Sequence, residues 1–319
     1  MEKVRYSILI PAYQAASTIE RCLDSILKQQ GDYEVIVIND GSTDNLDEVL
    51  AKYKNKIRLY KQKNKGLAET RNELIKKARG EYILFVDSDD YVKDDYIKVL
   101  NCNLAKYKNV DIISFGLELV DEHGNNLSYM SKLETSSIVS GDDLFVSYIN
   151  NRINFEPTVG YLYNREFFVK NGFIYAKGHN HEDFGLTPLT LVKAKRVVSI
   201  KDNLYCYVQT SNSITRGNSK EKIRKNAYDI LYHYDNLKSI IDSDNELSKE
   251  SKRYFYSFLA NSVILQLNVL EGNDYKEFKK ELQKRNVTKY LFNDTLKRKL
   301  KKMFLKLKIS IWKARIWRK

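Results

Sequence analysis

The chain has 319 residues, 43% of them hydrophobic and 30% charged, which suits one large or two smaller globular domains and excludes a mainly disordered protein. Three widely spaced cysteines, Cys22, Cys102 and Cys206, argue against a disulfide framework or a CxxC zinc site and fit a reducing, cytoplasmic setting. The formal charge of +13 sits at one end: residues 296–319 hold eleven Lys/Arg and no acid, while the other 295 residues carry 43 basic and 41 acidic side chains.

In chain order, Tyr6 to Pro11 (YSILIP) reads as a short buried strand closed by proline. Ser17-Thr18-Ile19-Glu20 has capping-box spacing, with Ser17 as N-cap of a helix whose apolar stripe runs Ile19, Cys22, Leu23, Ile26, Leu27. Glu34 to Asn39 is a second buried strand, and Ser42 to Asp44 offers caps for a helix through Val49 and Leu50. Ile57 to Tyr60 is a third strand. Leu67 to Ala78 is helical, with Gly80 as its C-terminal stop. Tyr82 to Val86 is a fourth strand, Lys93 to Tyr107 a helix, and Asp111 to Val120 extended. Further on, a helix is expected near Asp142 to Asn151, a strand near Thr158 to Tyr163 and a helix near Glu182 to Val192. Short strands follow at Val197 to Ile200 and Leu204 to Tyr207, and from about Lys220 the chain reads as helical. Strands alternating with helices predict βαβ units in an α/β fold with a mixed, mostly parallel sheet.

Ligands of such sheets bind beyond the carboxyl ends of the strands. The polar clusters lie there: Tyr13 after the first strand, Asp40 after the second, Asp87-Ser88-Asp89-Asp90 after the fourth. Clustered carboxylates repel, and a hard divalent cation (Mg²⁺ or Mn²⁺) relieves them; a solvated helix N-terminus is the plainer reading. An EF-hand is excluded because Val92 stands where the loop needs glycine. Asp40 in INDGSTD can equally serve a turn and helix cap, and Arg71 in KGLAETRN can be a surface charge. In HNHEDF, His179 and His181 are spaced poorly for one metal, so Asp183 reads as a carboxylate general base or as a helix cap. SNSITRGN, with Arg216, reads as a loop that closes over phosphates or as a plain polar loop, the first being favoured. No GxGxxG follows a strand and no GxxxxGK[ST] occurs, so neither a dinucleotide fold nor a P-loop is supported.

The succession SILIPAY, EVIVINDGSTD, KGLAETRN, EYILFVDSDD, then an ED pair about 95 residues later, resembles glycosyltransferase family 2 over residues 4 to 216. The resemblance implies a GT-A fold, a nucleotide-diphospho-sugar donor, a divalent metal and inversion at the anomeric carbon. It implies a nucleobase pocket of Pro11, Ala12 and Tyr13, with Asp40 on the base and Arg71 beside it. Asp87 and Asp89 would serve the metal, Asp87 also the ribose. Ser88, Glu182 and Arg216 join the donor-binding set, and Asp183 would be the catalytic base. Thr70, where many relatives have a small residue, is the local departure.

These readings divide the chain into a GT-A domain (1–217) and a helical region (218–319). In the tail, Leu296, Leu300, Phe304, Leu307 and Ile311 share a helical face among Lys and Arg, with Trp312 and Trp317 near the end. That pattern points to an anionic membrane surface; a helix packed on the protein is the alternative. No leader is expected from the short apolar start, and no stretch approaches 18 apolar residues. The expected protein is cytoplasmic and peripheral on the inner face of the membrane. Its expected acceptor is a saccharide, lipid-linked, in cell-surface polysaccharide synthesis, and no nucleic-acid partner is expected. A sugar-1-phosphate nucleotidyltransferase would need a Gly-rich basic loop that PAYQAAST lacks. A membrane- or nucleic-acid-binding protein on an inactive glycosyltransferase fold is the remaining alternative.

Overall fold

The structure, a computed structural model, describes residues 4–209 and 219–292 together with residues 299, 302, 303, 305 and 309. Arg216 and the tail's expected apolar face lie outside the described residues. The chain divides into an α/β unit, Met1–Ser213, and a helical unit, Ile214–Lys319.

The α/β unit begins β1 (Tyr6–Ala12), α1 (Ile19–Leu27), β2 (Tyr33–Asn39), α2 (Leu46–Ala51), β3 (Arg58–Lys61), α3 (Leu67–Lys77) and β4 (Tyr82–Phe85). It continues with β5 (Tyr91–Val92), α4 (Tyr96–Lys106), β6 (Ile112–Val120), β7 (Asn126–Met130), α5 (Gly141–Asn151), β8 (Tyr161–Asn164), α6 (Arg165–Lys170), α7 (Glu182–Lys193) and β9 (Val197–Val208). The strands form one nine-stranded sheet in the order β3-β2-β1-β4-β8-β6-β9-β5, with β7 on β6. The sheet is mixed: β3, β2, β1 and β4 run parallel, β8 is antiparallel to both neighbours, and β9 is parallel to β6.

β1 and β4 are buried along their whole length, as continuous apolar runs covered on both faces should be. Pro11 is tolerated inside β1 for a geometric reason. Leu9 O accepts from Val86 N on the β4 side, and Pro11, two residues on, faces the same side after β4 has ended. Its missing N–H therefore costs no ladder bond.

Some local expectations are corrected. Ser17 is not the cap of α1: Thr18 holds that position, with no side-chain cap bond, and its hydroxyl donates to Ala15 O at 3.3 Å. Glu20 pairs instead with Lys52 at 2.7 Å. Gly80 does not stop α3, which ends at Ala78 in extended backbone. Gly80 is needed for close approach, since a Cβ there would lie 2.5 Å from Ser7 N. The two short strands expected after residue 196 are one strand, β9, whose register shifts where it passes Gly116 of β6. The two-residue β5, the exposed β7 and the short α6 have no clear sequence signal.

The helical unit contains α8 (Lys220–Ser243), α9 (Lys249–Leu265) and α10 (Gly272–Lys284). Ser219 and Ser248 cap α8 and α9 through their side chains. Among the tail residues described, Lys302 Nζ donates to Lys289 O and Leu291 O at 3.1 and 2.8 Å, and Ile309 is buried. No helix among the described residues is long and apolar enough to cross a membrane.

Candidate active site

The ends of β1, β2 and β4 bring the polar segments to one edge of the sheet. Tyr13 is 45% exposed there, while Pro11 and Ala12 remain buried in β1. Gln14, in the left-handed region at φ 51, stitches the first two loops together. Its Oε1 accepts from Thr43 N and Asp44 N, and its Nε2 donates to Thr43 Oγ1 at 2.8 Å. Asp44 in turn accepts from Ala16 N at 2.9 Å. No local sequence signal marks Gln14, because its role depends on a contact between two separate loops.

Asp40 is buried and its carboxylate is already bonded to the chain. It accepts from Gln62 Nε2 at 2.8 Å, Lys65 N at 2.9 Å and Gly66 N at 2.8 Å, so it anchors the loop leading into α3. A carboxylate has about four lone-pair sites, which leaves room for one more donor. Gln62 Nε2 also donates to Thr70 Oγ1 at 3.0 Å, which accounts for the buried Thr70. Gly41 at φ +72 follows; a Cβ would meet Asn64 N at 2.6 Å.

The acid loop is not four equivalent carboxylates. Asp90 is buried and accepts from Tyr205 Oη at 2.6 Å and Val208 N at 2.7 Å, both on β9. Burial and the charges of Asp89 and Asp87 push its carboxyl well above the usual range. Asp87 lies half-buried, with its main-chain N–H on Tyr205 Oη at 3.1 Å. Asp89 keeps solvent contact, and enclosure in the loop together with Asp87's charge raises its carboxyl. Ser88 is half-buried between them.

Arg71 joins this loop to the ED pair. The sequence placed it beside Asp40 or on the surface; it is 1% exposed, and its guanidinium reaches three carboxylates. Nη2 donates to Asp87 Oδ1 at 2.8 Å, and Nη1 to Glu182 Oε1 at 2.9 Å and Asp183 Oδ1 at 2.8 Å. The rings of Tyr175 and Phe85 lie 5.5 and 5.9 Å from it. Burial works against its charge, but the three carboxylates hold it firmly protonated. Glu182 and Asp183 open α7 in its first turn, after His181 at φ 59, so neither is the cap residue itself.

Asp183 Oδ2 accepts from Thr158 N at 3.1 Å. Its carboxyl is pushed up to about 7, chiefly by burial, which outweighs the lowering by Arg71, with Glu182 and Asp87 adding to the rise. The side chain is still 27% exposed, so an incoming hydroxyl can reach it. Thr158, in a 3-10 turn (Thr158–Gly160) before β8, also bonds Tyr175 Oη at 2.8 Å. Neither Thr158 nor Tyr175 was singled out from the sequence, since nothing local marks them as neighbours of Asp183.

Among the described residues, no three His, Cys, Asp or Glu side chains converge to hold an ion alone. Asp87 and Asp89 are the two acid-loop carboxylates that β9 does not hold, and they could serve such an ion only together with further ligands. Mg²⁺ and its analogues are commonly held by one or two carboxylates plus substrate phosphates. The charge balance points the same way. Asp87, Asp89, Glu182 and Asp183 outnumber the guanidiniums of Arg71 and Arg21 that contact this cluster.

Residues 7–178, more than half of the chain, match the family described as Glycosyl transferase family 2. The chain belongs to that family. The uncharacterized glycosyltransferase EpsJ of Bacillus subtilis (strain 168) is 30% identical over 226 residues, covering 66% of this chain and 62% of EpsJ. The matched part of the chain thus spans less than two thirds of that relative's length. The fold is similar to that of S. aureus TarS 1-349 in complex with UDP-GlcNAc, with TM-score 0.57 at 18% identity over 89% of this chain and 92% of that one. It is also similar to the mannosyltransferase PcManGT from Pyrobaculum calidifontis in complex with GDP-Man and Mn²⁺, with TM-score 0.56 at 15% identity over 98% and 84%. The α/β fold with a mixed, helix-flanked sheet is therefore as expected.

Proposed function

We propose that the chain is an inverting glycosyltransferase. It moves a sugar from a nucleotide-diphospho-sugar, UDP-linked, to an acceptor hydroxyl in cell-surface polysaccharide synthesis. The observation that carries this reading is Asp183: a reachable carboxyl, held by Thr158 N and Arg71, whose proton affinity lies near neutrality. A general base works best when its pKa matches the operating pH. The similar folds of TarS and PcManGT, each in complex with a nucleotide-sugar, support the donor class.

In this reading Pro11, Ala12, Tyr13 and Asp40 receive the nucleobase, and Ser88 and Glu182 line the donor side. Arg216 is assigned to the phosphates on the family resemblance alone. Asp87 and Asp89 would hold a divalent cation, Mn²⁺ or Mg²⁺, which when bound would neutralise charge on the diphosphate leaving group. Asp183 takes the acceptor hydroxyl's proton as that oxygen bonds to the anomeric carbon. The bond from that carbon to the diphosphate oxygen breaks, and its electron pair leaves with the nucleoside diphosphate. The acceptor is a lipid-linked saccharide, and the basic tail 296–319 holds the enzyme at the anionic inner face of the membrane, on the cytoplasmic side.

The test is Asp183→Asn, which keeps size and one of the two accepted hydrogen bonds but accepts no proton. Donor affinity should stay within about twofold while transfer falls by roughly a hundredfold or more. Near-normal turnover would reduce Asp183 to a structural acid at the start of α7. A wild-type chain that neither transfers nor hydrolyses any nucleotide-sugar would favour a binding protein on an inactive fold.

A further inference from the structure

One charged group beside the acid loop has no part in the reading above. Arg21 lies in the first turn of α1, where the helix dipole favours acids and disfavours cations, so helix stability does not account for it. Its contacts do. Nη2 donates to Asp89 O at 3.0 Å and Nη1 to Glu122 O at 3.1 Å, and the guanidinium lies 5.1 Å from the Tyr91 ring centre. Its Nε is buried with no hydrogen-bond partner. The next residue, Cys22, places Sγ 3.6 Å from Asp87 O. Two successive residues of α1 thus brace the main chain on either side of Ser88, while Tyr205 and Val208 hold Asp90 from β9. Asp89 is held through its main chain by Arg21, and its side chain keeps solvent contact.

We propose that Arg21 is a positioning residue that fixes the main chain at Asp89 and so aims the Asp89 carboxylate at the divalent cation. The proposal rests on the reading of Asp89 as a cation ligand. Arginine suits the task because its planar guanidinium spans two carbonyls at once, which a lysine ammonium on a flexible stem does not. Groups that orient a metal ligand without touching the metal typically contribute ten- to a hundredfold in affinity.

The experiment titrates Mn²⁺ into the full chain with UDP present, reading free Mn²⁺ by electron paramagnetic resonance, alongside thermal unfolding. Wild type, Arg21→Ala, Arg21→Lys and Asp89→Ala are compared. Arg21→Ala should weaken Mn²⁺ binding roughly tenfold or more, and Arg21→Lys by less, because an ammonium can still brace one of the two carbonyls although the bridge is lost. At saturating Mn²⁺, kcat of Arg21→Ala should return close to wild type. If Arg21→Ala is less stable but binds Mn²⁺ as wild type while Asp89→Ala does not, Arg21 only ties the sheet together and the proposal is overturned. If Asp89→Ala itself binds Mn²⁺ normally, the ligand reading falls instead. Should Arg21→Ala not fold, Tyr91→Leu removes the ring under the guanidinium; unchanged Mn²⁺ affinity in a folded Tyr91→Leu would overturn the proposal, and severalfold weakening would support it.

Discussion

Replacing Arg71 with Met tests the organisation of the site most directly. Methionine fills much of the same volume, so the substitution removes charge and hydrogen bonds more than packing. It leaves Asp87, Glu182 and Asp183 facing one another without the guanidinium that each now contacts at 2.8–2.9 Å. Removing one partner of a buried ion pair costs about 3–5 kcal/mol. At about 2–4 °C per kcal/mol for a domain of this size, the melting temperature should fall by roughly 6–20 °C near neutral pH. The pH dependence has a definite sign. Asp183 already binds its proton more tightly folded than unfolded, since burial raises it to about 7. Such a group loses stability as pH rises from the unfolded carboxyl value toward the folded one. Without Arg71, whose charge lowers that value, the rise is larger, so the deficit against wild type should grow with pH. Scanning calorimetry of both proteins at about pH 5 and about pH 8 measures it. Equal melting temperatures at both pH values, or a deficit that does not shrink in acid, would refute the picture of a buried guanidinium balancing three carboxylates.

The wild-type rate of transfer at limiting substrate should rise with pH through about 7 and then level, since Asp183 must be unprotonated to accept a proton; a flat profile from about pH 5 to about pH 8 would contradict its role. Gly41→Ala should lower stability by roughly 1–3 kcal/mol in denaturant titrations, because φ +72 and Asn64 N leave no room for a methyl. Removing residues 296–319 should leave donor hydrolysis nearly unchanged but release the enzyme from anionic vesicles in a sedimentation assay, with high salt mimicking the loss. Equal sedimentation of the truncated and full chains would assign the tail to packing, in line with Lys302 and Ile309.

The parallel half of the sheet was readable because β1, β2 and β4 are covered on both faces and therefore spelled as unbroken apolar runs. The reading failed where pairing partners decide structure. β5 is two residues long and exists because β9 passes beside it, and β7 is exposed along most of its length. The site followed the same division. Residue types at strand ends marked Asp40, Asp87 and Asp89 as a group, and the family resemblance added Asp183, but neither told which of their oxygens the protein itself occupies. Arg71 looked like a surface charge because a sequence does not reveal that a helix presents it beneath two acidic segments. Asp90, one of the clustered acids in the sequence, is set apart by its bonds to β9, and Gln14, Thr158 and Tyr175 became legible only once the loops met.

The bonds from Asp90 to Tyr205 and Val208 close a span of 118 residues, as the chain runs from Asp90 to Val208. At a synthesis rate of about 5–20 residues per second, roughly 6–24 seconds separate the emergence of the two ends from the ribosome. During that interval the first four strands can pair among themselves, but β5 has no partner and the acid loop has nothing to hold its most buried carboxyl. Loop closure over such a span costs entropy before any contact repays it. The acid loop thus becomes native only once β9 has emerged, and a nascent chain stalled before β9 would carry a half-built sheet with Asp90 unheld.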